Sequence, residues 1–109
     1  MPLNYLVNGY EGVNRFAADI NALAIRYKNE GIRLAFHHHD FEFLKFGSRR
    51  GLDILLENTD PALVFFVSDT YWAQKGGMCP AALIRRLGKR AISIHLRDYT
   101  LLPPFFAAK

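Results

Sequence analysis

The stretch LVFFVSD, residues 63–69, is an almost unbroken apolar run that stops at an aspartate. Runs of this kind are typical of strands in parallel sheets that are covered on both faces, because neither face then needs polar side chains. Pro61 ends a short helical pattern that starts near Gly51, and Pro80 opens another helix further along the chain. The stretch is therefore predicted to be a buried parallel strand between two helices.

Two further strands are predicted, one on each side of this stretch. Apolar side chains alternate with small or polar ones in residues 32–37 and again in residues 91–96. An amphipathic helix is predicted over residues 13–27, with Gly31 as its left-handed cap, and Gly88 is the expected stop of the helix that begins at Pro80. Residues 70–79 are predicted to be a loop.

The spacing of these elements predicts the fold class. The strands start roughly 30 residues apart, which is the length of one strand–helix unit with a right-handed crossover. Both a doubly wound parallel sheet and a (β/α)₈ barrel are built from such units. His37, Asp69 and His95 each lie where a strand ends, at the rim that carries the active site in barrels, and this favours the barrel.

The residues at these strand ends suggest a metal site. Two imidazoles and a carboxylate are ordinary ligands for zinc, manganese or cobalt. The alternative is that each is a hydrogen-bonded polar group at a hydrophilic strand end. Glu42 could be a general base if burial raises its pKa, or else a loop carboxylate in water. Trp72 and Tyr71 could form the wall of a small polar site or cover the edge of the core.

Composition excludes several classes of protein. The net charge of +4 is mild, and the densest basic group, at residues 85–90, is interpreted as the polar face and end of a helix rather than a nucleic-acid surface. Cys79 is the single cysteine, so neither a disulfide framework nor a cysteine-based zinc site is expected. The chain has no long apolar span and no leader pattern at its start. We expect a soluble, cytoplasmic protein with neither a nucleic-acid nor a membrane partner.

Three stretches resemble successive parts of a known family. RLAFHHHDFEF (33–43), FFVSDTYWAQKGGMCPAALIRRLGKR (65–90) and ISIHLRDY (92–99) are similar to the sugar phosphate isomerase/epimerase family of xylose isomerase-like TIM barrels. Members of that family often have His-Asn-His-Asp-Phe-Glu-Phe, then Asp-Thr-Tyr-Trp with a Gly-Gly turn, then His-Leu-Lys-Asp-Tyr. The similarity extends over about residues 13–99.

This resemblance implies a set of metal ligands. In the family, a divalent metal, here manganese, magnesium, cobalt or zinc, is held by Glu, Asp, His and Glu side chains from the ends of strands five to eight. Asp69 matches the second ligand and His95 the third, while His37 falls where many members have the first Glu. His39 matches a polar residue of the same motif, and Glu42 matches a carboxylate near the substrate, which makes Glu42 the expected catalytic residue.

The resemblance also implies a substrate class. His39, Trp72 and Arg97 are the expected substrate-binding residues, with Arg97 in the place of the usual Lys. The implied reaction is proton abstraction beside the carbonyl of a sugar, sugar phosphate or cyclitol, with the metal polarising the substrate oxygens. Dehydratases and zinc endonucleases share the fold, so the fold alone does not fix the reaction.

The length of the chain predicts a partial domain. A complete barrel takes around 250 residues, and three strands are recognisable in these 109. Residues 1–109 are therefore interpreted as part of one barrel domain, units four to seven, and the apolar tail at residues 100–109 has no assigned place. A catalytically incompetent half-barrel that forms homo-oligomers through exposed sheet edges is the second hypothesis. We also expect Asp69→Ala to abolish metal uptake and leave the core helices intact.

Overall fold

A computed structural model describes residues 1–99, so the apolar tail at residues 100–109 lies outside the described residues. The helices are α1 (Leu3–Leu6), α2 (Gly9–Asn29), α3 (Gly51–Asn58), α4 (Thr70–Lys75) and α5 (Pro80–Leu87), with single 3₁₀ turns at Phe41–Phe43 and Gly88–Arg90. The strands are β1 (Leu34–His37), β2 (Lys45–Phe46), β3 (Arg49–Arg50), β4 (Val64–Asp69) and β5 (Ala91–His95). Among the described helices, none combines the length and apolar character needed to cross a bilayer.

The main sheet contains three parallel strands in the order β1, β4, β5. His37 pairs with Val67 between β1 and β4, and Asp69 pairs with His95 between β4 and β5. Successive long strands are therefore neighbours in space, with helices in the connections between them. This arrangement confirms the predicted α/β class, three parallel strands with flanking helices.

The core lies between one face of the sheet and the helices. Val64 and Phe66 of β4 are fully buried there. Phe36 of β1 packs edge-on against Phe66, with ring centroids 6.1 Å apart, and against Phe16 of α2 at 5.5 Å. Such edge-to-face contacts add specific geometry to the burial of apolar area. They fix α2 against β1 and β4.

The other face of the sheet is only partly covered by residues 1–99. Ala35 and Ser93 are exposed, and Phe65 and Val67 are half-buried. The expectation that β4 is covered on both faces is therefore met on one face and only partly on the other within residues 1–99. In a closed barrel this second face is the interior, which is filled by side chains from other strands rather than by helices.

Two local elements differ from the predictions. Residues 70–75, predicted to be a loop, form α4, a helix of six residues that is too short to show a periodic apolar pattern. β2 and β3 form a small antiparallel hairpin that was not predicted, with Gly47 at φ +69° between them. Gly31, the predicted left-handed cap, has φ +73° after α2, and Gly88, the predicted stop of the helix from Pro80, follows the last residue of α5 with φ +54°.

Arg90, grouped in the sequence with the basic end of α5, stabilises the start of β4. Its guanidinium donates hydrogen bonds to the carbonyl of Val64 at 3.1 and 3.2 Å and to the carbonyl of Leu56 at 2.9 Å. It also donates to Thr59 Oγ1 at 2.6 Å and lies 4.9 Å from the ring of Phe66. One side chain therefore links the end of α3 to the first residue of β4.

We expect Arg90→Met to lower the free energy of unfolding by about 2–4 kcal/mol, because buried carbonyls lose a charged donor while the apolar stem is kept. The matched control is Lys89→Met, at an exposed neighbouring position, which should change stability by less than about 0.5 kcal/mol. Urea unfolding followed by circular dichroism measures both. Equal stability of the two variants would show that Arg90 has no structural role.

Candidate metal centre

The ends of the three parallel strands bring His37, Asp69 and His95 together. One ligand atom from each residue lies within 4.8 Å of the other two. His37 Nε2 is 3.0 Å from Asp69 Oδ2, and His95 Nδ1 is 3.6 Å from the same oxygen. Atoms that bind one metal ion at about 2.0–2.3 Å lie at comparable separations from one another. The parallel register thus produces a group that could hold a metal ion.

The carboxylate of Asp69 uses its two oxygens differently. Oδ1 accepts hydrogen bonds from the backbone N–H groups of Tyr71 at 3.0 Å and Trp72 at 3.1 Å, and so caps the N-terminus of α4. Oδ2 is left to face the two histidines. Asp69 is fully buried, and its Oδ1 is held by two backbone N–H groups. The direction of Oδ2 is therefore fixed.

The Asp69 carboxyl is kept ionised by its neighbours. Burial alone raises its pKa, since the charged form is poorly solvated. Hydrogen bonds from His37 and from the N–H of Trp72, together with the Arg97 guanidinium, lower the pKa by more, so the net shift is downward. An anionic carboxylate is the form that binds a metal cation.

Asp69→Ala is consequently not a clean test of metal binding. Alanine also removes the cap on the N–H groups of Tyr71 and Trp72 at the start of α4, a helix that is not among the predicted core helices. Loss of an aspartate cap typically costs about 0.5–2 kcal/mol. Asparagine keeps one oxygen for the cap and removes the charge.

His38 supports the site from the opposite side of β1. Its ring is fully buried, and its Nε2 accepts the backbone N–H of Asp69 at 3.0 Å. Its Nδ1 lies 3.2 Å from the carbonyl of His39 and donates to it in this tautomer. Burial lowers the pKa of His38, which keeps the ring neutral and its Nε2 able to accept. Because side chains alternate along a strand, His38 lies on the face opposite His37, and this alternation does not by itself predict the bond to Asp69.

Glu42, the predicted catalytic carboxylate, is fully buried in the 3₁₀ turn after β1. The interpretation as a loop carboxylate in water is therefore wrong. Glu42 Oε1 accepts the backbone N–H of His39, and Oε2 lies 3.2 Å from the amino group of Met1. His37, Asp69 and His95 form their group without it. The contacts of Glu42 fix the conformation of the chain at His39.

The predicted substrate-binding residues His39 and Trp72 lie side by side. Their ring centroids are 5.2 Å apart in an edge-to-face arrangement, and His39 also stacks on Phe41 at 5.4 Å. Trp72 follows Asp69 by one turn of α4, so the cap at Asp69 sets its position. Together they form an aromatic wall beside the metal group.

Arg97, the third of these residues, reaches the metal group directly. Its Nη2 lies 3.2 Å from Asp69 Oδ2, and its guanidinium is 4.9 Å from the ring of Tyr71 and 5.7 Å from that of Trp72. An open cleft of about 490 Å³ adjoins it, with Tyr71 and Gln74 on its walls. The structure therefore places Arg97 between the metal group and the cleft.

Comparison with known proteins gives a consistent result. A sugar phosphate isomerase/epimerase from Parabacteroides distasonis superposes with a TM-score of 0.74 at 25% identity, over 83% of this chain and 35% of that chain. The resemblance to the sugar phosphate isomerase/epimerase family is confirmed. Two curated relatives are inosose dehydratases, from Clostridium tetani at 29% identity over 75% of this chain and from Geobacillus kaustophilus at 35% over 62%. No protein-family model matches the chain.

The chain corresponds to part of these proteins. It covers 27% and 21% of the length of the two inosose dehydratases and about a third of the isomerase/epimerase structure. Its three parallel strands and flanking helices match a portion of the TIM barrel.

We expect His38→Phe to lower the free energy of unfolding by about 1–3 kcal/mol in the metal-free chain, because the buried N–H of Asp69 loses its acceptor. His39→Phe is the matched control, since within residues 1–99 His39 Nδ1 has no hydrogen-bond partner to lose. Thermal unfolding in the presence of a chelator measures both. If the two variants were equally stable, the bond from Asp69 to His38 would not hold the strand ends together.

Proposed function

We propose that His37, Asp69 and His95 are ligands of a divalent metal centre that acts on a sugar or cyclitol. The observation that carries this proposal is the convergence of one ligand atom from each of three adjacent strand ends within 4.8 Å. The burial of Asp69 and its fixed Oδ2 support it, because a preorganised ligand loses little conformational freedom on binding.

The donor set favours some metals over others. Catalytic zinc sites typically keep three protein ligands and leave a fourth position for water or substrate, as this group would. Imidazole nitrogens also suit cobalt and manganese, whereas magnesium prefers a shell of oxygens. We therefore expect zinc, cobalt or manganese at this site in preference to magnesium.

The surrounding residues have distinct proposed roles. The bound metal would supply Lewis-acid polarisation of a carbonyl or hydroxyl oxygen of the substrate. His39 and Trp72 would contact the substrate as an aromatic wall. A general base must come within hydrogen-bond reach of the proton it removes. Because Glu42 is fully buried, we propose that it positions His39 rather than moving the proton itself.

The reaction class follows from the same chemistry. Isomerisation or epimerisation of a sugar begins with removal of a proton next to a carbonyl, and this is the leading proposal. Dehydration of a carbonyl-containing polyol can begin with the same step. A dehydratase is therefore the second candidate, favoured by the two inosose dehydratases among the relatives.

We further propose that turnover requires more strands than residues 1–99 provide. Within that range β1 and β5 are the edges of the main sheet, and Ala35 and Ser93 on its second face are exposed. Further strands, or a second copy of the chain, would pair with these edges and close the site against water. A chain that binds metal without turnover is the expected state of the incomplete barrel.

We expect the wild-type chain to bind one zinc ion per chain and Asp69→Asn to bind zinc about 100-fold more weakly. Loss of the groups that support a metal ligand typically lowers metal affinity by about 10–100-fold, and loss of the ligand itself should lower it at least as much. Isothermal titration with zinc chloride measures the affinity. Asp98→Asn, the same change at an exposed carboxylate nearby, is the control and should bind normally. Equal affinity of the Asp69→Asn variant and the wild type would refute the site.

A further inference from the structure

We propose that Arg97 is a displaceable counter-ion of Asp69, which leaves Oδ2 when a divalent metal is bound and then binds an anionic group of the substrate, such as a phosphate ester, beside the metal. This inference rests on the proposed metal centre. It adds a metal-dependent anion site to that centre and assigns it to one residue.

The inference starts from the contacts of a single oxygen. Asp69 Oδ1 is occupied by the cap of α4, so Oδ2 is the oxygen available to a metal. Arg97 Nη2 lies 3.2 Å from this Oδ2, which is also the oxygen that faces His37 and His95. A guanidinium and a divalent cation at the same oxygen repel one another. Arg97 and a bound metal would therefore compete for Oδ2.

The guanidinium is able to leave without disturbing the strand end. The backbone N–H of Arg97 donates to Thr70 Oγ1 at 2.8 Å, and the hydroxyl of Thr70 donates to the carbonyl of Arg97 at 2.6 Å. These bonds hold the main chain to the first residue of α4. The side chain of Arg97 is 48% exposed, so solvent lies beside it while its main chain is held.

The aromatic rings beside Arg97 can keep its guanidinium near the metal group after it leaves Asp69. It already lies 4.9 Å from the ring of Tyr71, at a distance at which cations are attracted to aromatic faces. Lys75 lies 5.2 Å from the ring of Trp72, so two cations flank the same pair of rings. The aromatic pair therefore holds positive charge next to the metal group.

The cleft beside Arg97 has room for an anionic group. Its volume is about 490 Å³, and Tyr71, Gln74 and Tyr99 are among the residues that line it. Asp98 also lines it, so an anion is expected at the Arg97 side. A guanidinium binds phosphate and carboxylate oxygens in a forked geometry that lysine lacks. Arg97 in place of the usual Lys thus favours a planar, two-point contact with a substrate anion.

The affinity for zinc tests whether the metal displaces Arg97 from Asp69. Isothermal titration with zinc chloride compares wild type with Arg97→Gln, and we expect Arg97→Gln to bind zinc about tenfold more tightly because no guanidinium has to be displaced. The matched control is Lys75→Gln, which removes a cation from the same aromatic pair without touching Asp69 and should raise zinc affinity by much less than Arg97→Gln. Trp72 is the single tryptophan, so its fluorescence should change on zinc binding in the wild type and much less in Arg97→Gln.

Sulfate, a soluble tetrahedral dianion, is the probe for anion binding by Arg97. With ionic strength held constant, sulfate should tighten zinc binding by the wild type, and zinc should tighten sulfate binding by the same factor. This coupling should disappear in Arg97→Gln and weaken in Arg97→Lys, a second variant that keeps the charge if glutamine impairs folding. Acetate in place of sulfate shows whether a carboxylate is bound instead.

Each outcome separates the inference from the proposed function. If the wild type binds zinc but Arg97→Gln binds it no more tightly, Arg97 is not displaced and the inference is wrong while the metal site stands. If sulfate coupling persists in Arg97→Gln, the anion lies on the metal itself and Arg97 has no anion-binding role. If neither protein binds zinc while both remain folded by circular dichroism, the proposed function fails together with the inference.

Discussion

The fixed position of Asp69 is the constraint on which the site depends. Its backbone N–H is bound by the buried ring of His38, its Oδ1 caps α4, and its pairing with His95 is set by the parallel register of β4 and β5. Each contact restrains a different part of the residue, so that Oδ2 has one direction. A preorganised carboxylate of this kind avoids the loss of rotamer freedom that a surface aspartate would suffer on binding a metal.

The main sheet was predictable because each strand carries its own local signal. β4 begins with four consecutive apolar residues, 64–67, and Gly31 and Gly88 stand where the chain has positive φ. α4 was not predictable in the same way. It is a single short helix whose start depends on a cap from Asp69, and a cap bond carries no periodic pattern. The two-residue strands of the β2–β3 hairpin are likewise too short to alternate.

The part of the site that depends only on strand direction could be predicted from the sequence. Polar residues at the carboxyl ends of parallel strands share one rim, which is why His37, Asp69 and His95 could be grouped from the sequence. The roles of His38, Glu42 and Arg90 could not be inferred, because each depends on side-chain hydrogen bonds to backbone groups, and no periodic pattern marks such bonds in the sequence. Alternation along β1 did place His38 toward the core, and a buried polar side chain in that position requires a partner.

The most direct measurement of the central claim is X-ray absorption at the zinc edge on the zinc-loaded 109-residue chain. We predict two imidazole nitrogens and one carboxylate oxygen at about 2.0–2.2 Å, with the remaining position filled by a light atom from solvent. Replacement of Asp69 by asparagine should abolish this signature. A spectrum without imidazole scattering, or one that is unchanged in the Asp69→Asn variant, would contradict the convergence of the three strand ends on one metal.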